Sequence, residues 1–125
     1  MKAARNLGVK ISLDLNYRAK LWNWGKKASE VMPSLAALAD VLVGNEEDCQ
    51  KSLGIDVASD VASGEISESA YATLTESVLE QYPNLALVAI TLRESISADH
   101  NNWSACLHDG KAFYRSCRYE IRHIV

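Results

Sequence analysis

Three short stretches of the sequence hold side chains suited to binding phosphate, carboxylate or a hydrated cation. The first is Asp14-Leu15-Asn16-Tyr17-Arg18. Here Arg18 presents a planar fork of donors that matches a carboxylate or a phosphate. Equally, Asp14 and Asn16 suit a tied-down loop with Arg18 on the surface. The second is Val43-Gly44-Asn45-Glu46-Glu47-Asp48. Its carboxylates could hold magnesium, which takes oxygen ligands and keeps several waters. The same residues also fit an acidic first helical turn, where the macrodipole favours anions. The third is Thr91-Leu92-Arg93-Glu94-Ser95. Its hydroxyls, guanidinium and loop amides could line a nucleotide site, or form a polar turn.

Each stretch follows a strand-like run. In residues 9–15 (VKISLDL), Ile11, Leu13 and Leu15 alternate with Ser12 and Asp14, the period of a strand. A central strand of a doubly wound sheet is apolar on both faces, so polarity arriving at Asp14 and Asn16 suggests a ligand-facing carboxyl end. Residues 40–43 (DVLV) and 85–91 (LALVAIT) read as buried parallel strands.

The connections between these runs read as helices. Residues 1–7 look like a helix tail closed by Gly8. A polar and aromatic loop, 16–25, leads to a helical stretch over 26–38. Pro33 inside it predicts a kink, or a new helix with Pro33 in its first turn. Asn45 is placed as an N-cap for a helix closing near Gly54. Residues 55–64 read as a surface loop. Ser67 is the expected cap of a helix running to Gln81 and ended by Pro83. Tyr71, Leu74, Val78, Leu79 and Tyr82 mark its apolar face. Residues 103–108 and 112–116 flank Asp109-Gly110, a hairpin turn signal, and a short strand over 119–124 follows. The pattern predicts an α/β fold: a doubly wound, mostly parallel sheet with an antiparallel hairpin at its edge.

Bulk properties narrow the function classes. A chain of 125 residues supports one small domain with a single core. A formal charge of −3 offers no electrostatic case for nucleic acid or anionic membrane. No apolar run approaches the ~20 residues of a membrane span, and residues 1–8 lack the apolar core of a signal peptide. Cys49, Cys106 and Cys117, odd in number and without CxxC spacing, argue against a disulfide framework or a zinc site. They point instead to a reducing cytosol. His100, His108 and His123 share no ligand spacing. Trp22, Trp24 and Trp103 are read as packing residues. A flavodoxin-like or regulator domain would need a flavin loop or an acidic phospho-acceptor pocket, and neither has a signature here.

Taken in order, the three stretches resemble the ribokinase-like (PfkB) carbohydrate kinase family. Asp14-Leu15-Asn16-Tyr17-Arg18 with Lys20-Leu21-Trp22 is similar to the DxNxR…LW stretch of its sugar-acid kinases. Residues 39–48 with Leu53-Gly54-Ile55 resemble the aDvl…NxxE…lG block. Residues 89–95 with Trp103-Ser104-Ala105 resemble the nucleotide-side strand and the hairpin after it. The likeness runs from about Gly8 to Val125.

The resemblance implies a partial kinase domain over residues 1–125, acting with ATP and Mg2+ on 2-keto-3-deoxygluconate or a similar sugar acid. It assigns Arg18 to the substrate carboxylate, and Asn16, Tyr17, Arg18, Thr91, Arg93 and Ser95 to the nucleotide. Asn45 and Asp48 would reach a hydrated magnesium, although Asp48 replaces the family's glutamate. Arg93 and Ile96 replace both glycines of the T-x-G-x-x-G loop. The GAGD-type turn is absent. Its amides stabilise the transferring phosphoryl group and its aspartate takes the sugar hydroxyl proton. The family's N-terminal glycine-containing sugar-binding and lid region is missing as well. The expectation is a chain without a catalytic residue of its own, inactive alone. The alternative expectation is a non-catalytic module that associates with itself or a partner through an exposed sheet edge.

Overall fold

The computed structural model describes residues 1–56 and 68–123. The expected Ser67 cap, most of the 55–64 loop and Ile124 lie outside the described residues.

Helix α1 (Lys2–Asn6) ends at Leu7, and Gly8 turns the chain with φ +74°. Strand β1 (Ser12–Asp14) follows. A 3-10 turn (Ala19–Leu21) and helix α2 (Ala28–Ala36) carry the chain to β2 (Val41–Gly44). Helix α3 (Glu46–Asp48) widens into a π-helical segment (Cys49–Leu53). Gly54, in the left-handed conformation at φ +73°, closes it, as its position after the last apolar residue predicts. Helix α4 (Glu68–Gln81) leads to β3 (Leu87–Ser97), β4 (His100–His108), β5 (Phe113–Arg115) and β6 (Tyr119–Arg122).

The six strands form one sheet. β1, β2 and β3 run parallel. β4 is antiparallel to β3, and its far edge is shared by β5 and β6. Between those two, the Ser116 hydroxyl accepts the Ala105 amide at 2.9 Å, filling the break in the ladder. The Asp109-Gly110 turn is present, with Gly110 at φ +82° and the Asp109 carboxylate accepting the Lys111 and Ala112 amides.

Register explains the core. Leu13, Leu42, Val88 and His108 are successive partners across the sheet and share one face. Ile11, Leu15, Ile90 and Cys106, spaced two residues from these, lie on that face too. Ala28, Met32 and Ala36 of α2, Cys49 and Leu53, and Leu74, Val78 and Tyr82 at the end of α4 join them in one buried cluster. Of a doubly wound sheet's two helical layers, the described residues supply this one. Val41, Val43, Leu87 and Ala89, on the opposite face, stay half-buried.

Two polar side chains fasten the end of the sheet where β1 and β2 begin. Asp40 accepts from Lys10 Nζ and from the Ile11 amide, both at 2.9 Å. Asn84 Nδ2 donates to the Ala36 and Ala39 carbonyls at 2.9 and 2.7 Å, tying the end of α2 and the turn after it to the segment that leads into β3.

Four expectations need correction. α2 runs through Pro33 as one helix. Pro33 cannot donate to Ser29, but Ser29 is exposed, so water can replace that bond. β1 lies at the margin of the parallel strands, with β2 as its only strand partner among the described residues. Ser12 and Asp14 are exposed on the face that the described helices leave uncovered. The stretch from Thr91 to Ser95 is not a loop. β3 continues to Ser97 and turns at Ala98 and Asp99 into β4, so this main chain pairs with residues 101–105. Trp24 is not a packing residue, being 59% exposed.

Candidate functional site

Because β1, β2 and β3 are parallel and in register, their carboxyl ends open on one rim. Asp14 stands beside Val43, and Gly44 beside Ile90. The chain leaving β1 turns sharply. The Asn16 amide donates to Asp14 Oδ1 at 3.1 Å, and Asn16 adopts φ +38°, a left-handed conformation that asparagine tolerates well. The Tyr17 amide then donates to Asp48 Oδ1 at 2.8 Å.

Asp48 also completes a capping box. Its amide donates to Asn45 Oδ1 at 2.8 Å, and its Oδ2 accepts the Asn45 amide at 3.0 Å. Only 6% of Asp48 is exposed, so its charge is held by main-chain donors from two loops. Gly44 lets these parts meet. A Cβ there would lie 3.2 Å from Leu15 Cδ1 and 3.3 Å from Asp48 Cβ. Thr91 Oγ1 donates to the Gly44 carbonyl at 3.3 Å, joining β3 to the same corner.

The structure thus gathers Asn16, Tyr17, Arg18, Asn45, Asp48 and Thr91 along one rim. Arg18 is exposed, and its Nη1 donates to the Tyr17 carbonyl at 3.0 Å. Arg93 and Ser95 are carried away. At ~3.3 Å per residue they lie about 7 and about 13 Å along the strand beyond Thr91. Both donate to the buried Asn101 Oδ1, at 3.0 and 2.9 Å, and Arg93 lies 5.6 Å from the centre of the Trp103 ring.

The Asn45 and Asp48 pair does not suit direct metal ligation, because both Asp48 oxygens already accept amides. Among the described residues no group of three or more His, Cys, Asp or Glu side chains could hold an ion. Glu46 Oε2 and Ser52 Oγ are buried there without a hydrogen-bond partner. Burial pushes the Cys49 thiol up to about 12, with Asp48 and Glu46 adding to the effect. Burial likewise raises Cys106 to about 11. Both thiols stay protonated near neutral pH, so neither is a nucleophile.

Sequence reasoning missed the Asp48–Tyr17 contact, for which no local pattern exists. It also missed Gly44 as the point of close approach, although a glycine at a strand end beside acidic residues was a usable signal. No helix among the described residues is long and apolar enough to cross a membrane.

Comparison with known proteins places this geometry. No family model matches the chain, and no curated protein does. Among solved structures it is similar to 2-dehydro-3-deoxygluconokinase from Thermotoga maritima. The identity is 44% over 99% of this chain and 35% of that one, with a TM-score of 0.84. It is also similar to a PfkB family carbohydrate kinase from Listeria grayi, at 28% identity, the same coverage and a TM-score of 0.74. The pyridoxal kinase of Bacillus subtilis, solved as an ADP complex, shares the fold at 16% identity, over 98% of this chain and 40% of that one, with a TM-score of 0.58. The chain spans about a third of the length of the first two relatives.

Proposed function

The chain belongs to the ribokinase-like (PfkB) carbohydrate kinase family, and on that premise we propose that it forms part of an ATP-dependent kinase for 2-keto-3-deoxygluconate or a similar sugar acid. The observation that carries this reading is the 44% identity with the Thermotoga maritima 2-dehydro-3-deoxygluconokinase across 99% of the chain. The shared rim at three parallel strand ends supports it, because open α/β sheets bind ligands there.

In this reading Arg18, exposed at the rim, takes the substrate carboxylate. Asn16, Tyr17 and Thr91 border the nucleotide. Arg93 and Ser95 meet it only where it extends along the β3–β4 hairpin. ATP would bring Mg2+ on its phosphates, and Asn45 and Asp48 would act on that ion only across water. The anion hole and the catalytic aspartate have no counterpart in this sequence. Positioning and charge stabilisation carry most of phosphoryl transfer, so the chain alone is expected not to turn over. An ADP-release assay with 2-keto-3-deoxygluconate and ATP tests this. Turnover that disappears in Arg18→Ala would uphold the site and overturn the inactivity.

A second reading is favoured by one observation: β1 has a strand on only one side among the described residues. An unpaired edge is a template for another chain. Light scattering after size exclusion tests association through it, and a monomer at high concentration counts against it.

A further inference from the structure

The segment from Asn16 to Ser29 carries Arg18, Lys20, Lys26 and Lys27 and no acidic residue, although the whole chain has a net charge of −3. Part of this charge faces a cleft of about 400 Å³ between the rim loop, the start of α2 and the π-helical segment. Tyr17, Trp22 and Asn23 line one side of it. Lys27 and Lys51, from two different elements, line it as well.

Neither ammonium has a carboxylate partner among the described residues. Two of the other cations in the segment have contacts of their own, and Lys20 has no carboxylate partner among the described residues either. Lys26 lies 5.9 Å from the centre of the Trp24 ring, and Arg18 binds its own loop carbonyl. Two acidic groups lie three positions from these lysines, and both are engaged by main-chain amides: Glu30 Oε2 accepts the Lys27 amide at 2.6 Å, and the Asp48 oxygens accept the Tyr17 and Asn45 amides. Ala28 and Ser29, which also line the cleft, hold the first two helical positions, whose amides have no partner within the helix.

We propose that this cleft, which adjoins the rim at Tyr17 but does not include Arg18 in its lining, is an anion-binding pocket that takes the phosphate group of a small molecule between Lys27 and Lys51. Two like charges facing one concavity repel each other and concentrate positive potential there. A phosphate dianion removes that repulsion and can accept from both ammonium groups. The ring of Trp22 and the apolar part of Tyr17 supply a wall for the rest of the ligand. The volume is that of a small-molecule site, too small for a folded partner.

The test needs neither sugar nor ATP, so its failure is distinguishable from failure of the kinase reading. Inorganic phosphate is titrated into the 15N-labelled chain, with sodium chloride at matched ionic strength as control. Saturable shifts at the Ala28 and Ser29 amides are expected. Lys27→Ala and Lys51→Ala should each weaken binding about tenfold, as for loss of one charge-assisted hydrogen bond. Both lysines are exposed, so both variants should keep the native spectrum. Arg18→Ala should leave the phosphate shifts in place. Parallel arms with ADP and with a sugar-acid phosphate show which source binds tighter than phosphate itself. Shifts no larger than those from chloride overturn the proposal. So does undiminished binding in the double lysine variant, or loss of binding in Arg18→Ala.

Discussion

Asp48 Oδ1 accepts the Tyr17 amide at 2.8 Å although the two residues lie 31 positions apart. The other oxygen of the same carboxylate accepts the Asn45 amide at 3.0 Å. One buried side chain therefore ties the loop after β1 to the turn after β2. A bond to a charged acceptor is stronger than a neutral one, and a buried donor left without an acceptor is costly.

Asp48→Asn should expose the strength of this tie. The amide group keeps one acceptor and turns a donor toward the second main-chain N–H. A loss of about 2–3 kcal/mol is expected, read from denaturant unfolding. Hydrogen exchange should accelerate at Tyr17 and Asn45 ahead of the strands. An unchanged Tyr17 exchange rate would contradict the staple.

Gly44 sets how closely the two loops approach. A methyl group there would press on Leu15 and on Asp48 Cβ, at 3.2 and 3.3 Å. Both neighbours are buried, so neither swings away freely. Gly44→Ala should cost roughly 1–3 kcal/mol, the usual penalty for overpacking, and a valine should cost more. Thermal unfolding of the two variants checks the order.

Much of this corner was legible, and its failures share a cause. Asn45 as a cap and Gly54 as a stop follow from local side-chain chemistry, and both stand in the structure. The apolar face of α4 follows from helical spacing. Thr91 to Ser95 misled because polar residues after an apolar run look like a loop. There the strand is maintained by its pairing with β4, which lies in no local signal. β1 is a related case: its place at the margin of the parallel strands rests on pairing with β2 alone among the described residues, and a polar alternation does not encode that. The Lys27 and Lys51 cleft depends on α2 packing against the π-helical segment, and sequence spacing does not encode that contact.

Two aspartates should give the fold an acid-sensitive component. The hydrogen bond from Lys10, then that from the Ile11 amide, holds Asp40 below the usual carboxylate range. The Ala112 and Lys111 amides do the same for Asp109. A depressed folded-state value means that the unfolded chain binds the proton more readily. The stability these groups add is thus complete above the ordinary aspartate value of about 3.9, and is lost as pH falls through the lower folded values. Unfolding midpoints measured from pH 6 down to pH 2 should drop in that window. Asp40→Asn should flatten part of the drop, while a midpoint that rises on acidification would reverse the sign.

The three cysteines should report on the core separately. Cys117 is exposed, and Cys49 and Cys106 are buried. Alkylation needs the thiolate, and burial holds Cys49 at about 12 and Cys106 at about 11. In the native chain at pH 8, iodoacetamide should modify Cys117 and leave the other two intact. In denaturant all three should react. Mass spectrometry after proteolysis separates the sites. Cys106 sits opposite Ile90, and Cys49 lies one residue after Asp48. Early labelling of Cys49 in Asp48→Asn, with Cys106 still protected, would therefore show the rim opening before the sheet. Simultaneous labelling of both would mean that loops and sheet unfold as one unit.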